Sequence, residues 1–191
     1  MFIRTILTSL ALTLFATTAS AVTVLFNFEQ NLSDNQTTVS YLESGVTLTV
    51  ISDGGNVHRA GNGMGVSGNP EGARIGLGEE LSFSFAGYRI DSFTATIWER
   101  GTENERFIFG SEGEQIAIGG ANGVSLQTFT AVLAGGASSF TIQGVEPNAG
   151  GNRGIKVTEI LVELTAVPLP ASSWMLLASL LGLGVYKRRS A

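Results

Sequence analysis

The stretch Glu80–Gly87, "ELSFSFAG", alternates strictly, with Leu81, Phe83 and Phe85 on one side and Ser82 and Ser84 on the other. Side chains repeat every two residues only along a β-strand, so this segment is an extended strand with one apolar face. Such a face is stable only when it is covered by another sheet or layer. The same pattern recurs: Val22, Val24, Phe26 and Phe28; Val46, Leu48 and Val50; Phe93, Ala95 and Ile97; Ile160, Val162 and Leu164. "RFIFG", "QIAIGG", "SLQTFTAVLA" and "SFTIQGV" continue it. Clusters of Gly, Asn and Asp, which suit tight turns, separate the runs. No interior stretch shows an apolar 3.6 repeat of helix length. Nine or so short strands with one polar face each predict an all-β domain, an antiparallel β-sandwich over residues 22–165. The strand number and a long Gly-rich segment after the second strand favour a jelly-roll-like arrangement over an immunoglobulin-like one. A one-residue slip would expose every apolar side chain, so each strand has one stable register.

Charge narrows the partners. Four of the 11 basic residues (Arg4, Lys187, Arg188 and Arg189) lie in the ends, leaving 7 in residues 22–166 against all 16 acids, a formal −9. Such a surface repels phosphate backbones and argues against nucleic acid. The chain has no cysteine, which excludes disulfides, thiolate metal sites and Cys nucleophiles, and its single histidine, His58, cannot build a His-based zinc site.

Both ends read as addresses. "MFIRTILTSLALTLFATTASA" has a basic Arg4, an apolar Ile6–Phe15 and an Ala19-Ser20-Ala21 cleavage site, the three parts of a secretory signal. Residues 1–21 are therefore expected to be removed, as a helix separate from the sandwich. At the other end, Pro168 and Pro170 favour extended backbone over Val167–Ala171. The 16 residues Ala171–Tyr186 that follow would reach about 24 Å as a helix, short of the ~30 Å hydrocarbon core. Trp174 and Tyr186 suit the two interfaces, and Lys187, Arg188 and Arg189 suit the cytoplasmic side. This is a marginal anchor but a well-formed processing signal.

The order Val167-Pro168-Leu169-Pro170-Ala171, apolar "SSWMLLASLLGLGVY", basic "KRRS" resembles the PEP-CTERM sorting signal in its VPLPA variant, over about the last 25 residues. The resemblance implies residues 166–191 as a sorting segment whose transmembrane helix is removed by an exosortase-type enzyme. It implies transient anchoring in the inner membrane, then the cell envelope, outer surface or extracellular matrix of a Gram-negative bacterium, often beside exopolysaccharide. The family sorts very different domains, so the resemblance gives destination and not activity. A non-enzymatic envelope or matrix role without a cofactor is the expectation; a carbohydrate-binding module with a structural calcium is the alternative, followed by a glycan hydrolase or lyase.

Candidate side chains follow from those readings. Trp98 lies out of phase with Phe93, Ala95 and Ile97, so an ideal strand exposes it; it could stack on a sugar ring, with Tyr88 and Tyr41 as helpers. Calcium wants six to eight oxygens. Glu29 and Glu159 are the candidate ligands, with Asp34, Glu43 and Glu163 near the first and last strands; jelly-roll carbohydrate modules commonly hold one calcium there. Glu99, Glu103, Glu105, Glu112 and Glu114 could supply a glycosidase pair. Arg100 and Arg106 among them favour exposed ion pairs in a hairpin. Gly63-x-Gly65-x-x-Gly68 matches a dinucleotide fingerprint only on paper, because the turn-forming Asn69-Pro70-Glu71-Gly72 follows, so a mobile surface loop is expected. His58 and Asp53 without a G-x-S-x-G elbow make no triad, and His58 is expected in an exposed loop.

Overall fold

The alternating runs form two antiparallel sheets packed face to face. A computed structural model describes residues 20–29, 32–67, 74–99, 105–111, 114–121, 125–145 and 154–168, with no helix among them. The motif residues Leu169, Pro170 and Ala171, the basic Lys187, Arg188 and Arg189, and Ala19 lie outside the described residues, as do the two expected terminal helices. Among the described residues no helix is long and apolar enough to cross a membrane.

Among the described residues thirteen strands follow in chain order: β1 (Ala21–Asn27), β2 (Leu32–Gln36), β3 (Thr38–Glu43), β4 (Val46–Asp53), β5 (Asn56–Ala60), β6 (Gly63–Ser67), β7 (Glu80–Phe85), β8 (Tyr88–Glu99), β9 (Glu105–Ser111), β10 (Glu114–Ala121), β11 (Ser125–Ala137), β12 (Ser139–Gly144) and β13 (Ile155–Ala166). One sheet runs β11-β8-β13-β6-β5-β2, with β1 also on β13; the other runs β10-β9-β12-β7-β4-β3. Ala21–Ala166 is one compact unit.

The predicted faces are the observed ones. Val24, Phe26, Leu48, Val50, Leu81, Phe83, Phe93, Ile97, Ile160 and Val162 all sit in one core. Phe140 of β12 stacks on Phe93 of β8 across the sandwich, with ring centroids 4.0 Å apart, and on Phe83 of β7 at 4.9 Å. Aromatic stacking adds to what burial contributes. In β13 the pairing with β8 shifts between Val157 and Glu159. That bulge leaves Thr158 over, so Val157 and Ile160 both face inward although three residues apart. The Thr158 hydroxyl donates to the Thr96 carbonyl at 3.0 Å.

Two expectations are corrected. Gly63–Ser67 is not a mobile surface loop but strand β6, with Met64 and Val66 fully buried. Glycine hid the alternation, since it contributes no side chain to either face, and the partner that satisfies its backbone, β5, is local. His58 accordingly lies within β5, half-buried opposite Gly65, rather than in an exposed loop. Its Nδ1 is buried without a hydrogen-bond partner among the described residues. Residues 68–73 lie outside the described set.

Candidate glycan-binding cleft and aromatic clusters

At the edge where β1 of one sheet faces β3 of the other, a half-enclosed cleft of about 340 Å³ opens. Phe26, Asn27 and Phe28 line it from β1 and the residue after it, Ser40, Tyr41, Leu42 and Glu43 from β3, and Arg59 from β5. The period-two logic explains each. Tyr41 has the phase of Val39, which is buried, so its ring turns between the sheets and meets Phe28 at 5.5 Å. Arg59 has the phase of Val57 and so carries a cation inward. Only 9% of it remains exposed, and its guanidinium carbon lies 4.4 Å from the Tyr41 ring centroid. A cation over an aromatic face is attracted by the ring quadrupole, more so when desolvated.

Two of the calcium candidates, Glu29 and Glu159, are linked through Asn27, which lines this cleft. Asn27 pairs with Glu159 across β1 and β13. The Asn27 amide donates to Glu159 Oε1 at 3.1 Å, and the Glu29 N–H donates to Asn27 Oδ1 at 2.9 Å. Asn27 thus links the Glu29 backbone to the Glu159 carboxylate and uses its own oxygen doing so. Among the described residues no three His, Cys, Asp or Glu side chains are close enough to hold a metal ion. Glu163 is engaged elsewhere, accepting from the Ser92 hydroxyl at 2.9 Å. Asp34 is in β2 and Glu43 ends β3 at the cleft.

Trp98 occupies the opposite phase from Phe93, Ala95 and Ile97 on β8, as its position in the run implies, and is half-buried. It stands between Leu126 of β11 and Lys156 of β13 in the register of the sheet. The Arg74 guanidinium carbon lies 5.4 Å from its ring centroid and the Lys156 ammonium 5.7 Å. Tyr88 is distant in register at the start of β8, opposite Ala166, and packs partly against the core. Trp98 and Tyr88 therefore lie at opposite ends of one strand, while Tyr41 is in the other sheet.

The acids of the 99–114 region are spread. Glu99 ends β8 in one sheet; Glu105 and Glu114 lie in the β9–β10 hairpin of the other. In that hairpin Glu114 is opposite Ser111 and Glu105 opposite Ala121, its two ends. Six residues of strand separate those positions by about 20 Å, well beyond a ~5–9.5 Å carboxylate pair. Glu103 and Glu112 lie outside the described residues. Ala21 begins β1 opposite Thr165, and Val167 and Pro168 are exposed just past β13.

Sequence reasoning singled out Tyr41, Glu43 and Trp98 but missed Arg59, Arg74 and Lys156 as their partners. The alternation of Val57 and Arg59 was the available signal for the first. Nothing local points to the other two.

No family model matches the chain, and no curated protein does. Among solved structures it is similar to one described as GH31 CBM32-2 bound to GalNAc, at 12% identity and a TM-score of 0.35, covering 75% of this chain and 97% of that one. At that level the likeness carries no argument about function.

Proposed function

We propose that the chain is a non-enzymatic, exported glycan-binding protein of jelly-roll-like build, delivered to the envelope or extracellular matrix through its C-terminal sorting signal. The observation that carries this reading is the cleft between β1 and β3. A sugar ring has apolar C–H faces and a rim of hydroxyls, so it suits an aromatic wall beside side chains that donate and accept hydrogen bonds. Tyr41, with Arg59 over it, supplies the first; Ser40, Asn27 and Glu43 supply the second.

The test is a glycan array and pull-down from the producing strain. Tyr41→Ala is expected to weaken binding about tenfold, a loss of ~1.4 kcal/mol, measured on protein whose circular dichroism shows it folded, because the ring also packs on Phe28 and under Arg59. Undiminished binding in that variant would remove the cleft from the reading.

Delivery is a separate part of the proposal. An exosortase-type enzyme would recognise Val167–Ala171 and remove the apolar helix and Lys187, Arg188 and Arg189, after signal cleavage at Ala19-Ser20-Ala21. A cut after Ala21 would remove only the Ala21–Thr165 pairing and leave the Val22–Asn27 ladder in place. Mass spectrometry of the native protein is expected to find Val22 at the start and no residue of the basic tail. An intact C-terminus through Ala191 would instead mean simple anchoring.

A further inference from the structure

Strand β11 ends one of the two sheets, and its outer edge is open. At 13 residues it is the longest strand among those described. It is laddered to β8 on one side without interruption, from Ser125 opposite Glu99 to Val132 opposite Ser92. Among the described residues no strand pairs with its other side, and no backbone hydrogen bond from a turn or loop reaches it. Every second residue of that stretch therefore turns its N–H and C=O outward. The strand is fixed from within: Phe129 meets the Phe107 ring edge-on at 4.9 Å, and Ala131 and Leu133 are buried. The regular stretch ends where the register shifts between Val132 and Ala137, at Gly135 and Gly136 with their positive φ.

Folded proteins blunt such edges with charge, proline or short length, because an open edge is a template for another strand. The other strands that end the two sheet orders follow that rule: β2 carries Asp34, β3 Glu43 and β10 Glu114. Ser125–Ala137 has neither a charge nor a proline. Its outward phase presents Leu126 and Val132, 58% and 75% exposed, with the exposed Thr128 and Thr130 between them. An acidic surface repels its own copy, but this edge brings no like charges of its own face to face.

We infer that β11 pairs antiparallel with β11 of a second copy of this chain, about a two-fold axis at Phe129. Hydrogen-bonded and non-hydrogen-bonded pairs alternate along an antiparallel ladder, so a two-fold between identical strands must pass where a residue faces itself. With Phe129 there, Leu126 stands opposite Val132 of the second copy, and Thr128 opposite Thr130. Both exposed apolar side chains are then covered, each by the other. A centre one residue to either side sets Leu126 against Thr130, or Val132 against Thr128, and pairs oil with hydroxyl. The pairing also leaves the β1–β3 cleft free. The joined sheet reads β1-β13-β8-β11 and then the same four in reverse, so the two clefts lie at its opposite margins. Seven strand spacings separate the two β1 strands, about 34 Å. The dimer does not rest on the glycan-binding reading; together with it, the protein becomes bivalent and able to join two chains of a matrix.

The test is the mass of the full-length protein in detergent, measured by sedimentation with the micelle matched out. A monomer–dimer equilibrium is expected. Val132→Lys puts an ammonium opposite Leu126 at both ends of the shared ladder, and should weaken the dimer about tenfold or more, with far-ultraviolet circular dichroism unchanged. Leu25→Lys, on the same face of the sheet but on the uncharged strand β1, should leave it intact. The chain has no cysteine, so introduced thiols report the register. Directly opposed residues have Cα atoms ~4.5–5.5 Å apart, within disulfide range. A mixture of Thr128→Cys and Thr130→Cys proteins should crosslink on oxidation, and either alone far less. A monomer at every concentration, or a dimer indifferent to Val132→Lys, would overturn the interface. Loss of the dimer through Leu25→Lys would move it to β1 and overturn it equally. Faster crosslinking by Thr128→Cys or Thr130→Cys alone would overturn the axis at Phe129.

Discussion

Tyr41 and Trp98 each have a cation over the ring, yet the two clusters differ in what surrounds them. Tyr41 and Arg59 sit between the sheets and line an open cleft. Trp98 sits on the outward phase of a central strand, where exposure was expected, and is half-covered by two cations that are themselves buried. The inward aromatic is thus reachable and the outward one is guarded. Phase along a strand tells which side of a sheet a residue is on. It does not tell whether that side is open, because loops and sheet margins decide that.

The comparison can be broken most severely through the core both clusters share. Phe140→Ala removes the ring stacked between Phe93 and Phe83, and is expected to cost about 3–5 kcal/mol. Denaturant unfolding followed by circular dichroism should show this, with both clusters lost in one transition. If one cluster outlived the other, they would not rest on a single cooperative sandwich.

A narrower perturbation should separate them. Gly63 has φ +123°, and a Cβ there would lie 2.7 Å from the Val157 carbonyl oxygen. Gly63→Ala should therefore push β6 off β13 next to Lys156, at about 1–3 kcal/mol. Trp98 emission should change while Tyr41-dependent glycan capture persists. Loss of capture would mean that the cleft depends on the β6–β13 contact.

The buried ammonium gives a pH signature of its own. Because the folded-state pKa of Lys156 is lowered, the folded protein gives up this proton before the unfolded chain does. Stability then rises with pH from that lowered value up to the ordinary 10.5. Lys156→Met should be more stable than the parent at neutral pH, with the advantage shrinking across that alkaline window. Urea midpoints measured against pH check the sign, and an advantage that stays constant would mean that Lys156 acts through packing alone.

The smallest effect has the opposite sign and comes from Glu80. Glu80 faces Asp53 across β7 and β4. Burial, then the Asp53 charge, raise its pKa above 4.5. The folded state holds this proton more tightly than the unfolded one, so the associated stability is full below 4.5 and is lost as pH rises through the raised value. Glu80→Gln should flatten that fall, stabilising at neutral pH by on the order of 0.2–1 kcal/mol, the scale of a like-charge cross-strand pair. Destabilisation instead would assign Glu80 a favourable partner.

Much of this was legible before any coordinates. Leu81, Phe83 and Phe85 announced their own burial, and the outward phase of Trp98 followed from Phe93, Ala95 and Ile97. What misled was absence of side chains: Gly63–Ser67 reads as a loop because Gly63 and Gly65 interrupt the pattern, although the strand's Met64 and Val66 are in the core. The candidate site was legible in pieces. Tyr41 and Glu43 belong to one run, and Glu29 and Glu159 lie near or in the first and last strands, but the Asn27 link between the Glu29 backbone and Glu159 was not legible.

Alternation at period two is a local property of the chain, carried by neighbours two residues apart, and it alone determined that this protein is all-β with one buried face per strand. Strand neighbours are chosen by non-local pairing, here across separations as large as that of β1 and β13. Only the tertiary structure therefore decided that Arg59 covers Tyr41 and that Arg74 and Lys156 close on Trp98, because no segment contains both partners of any of these contacts.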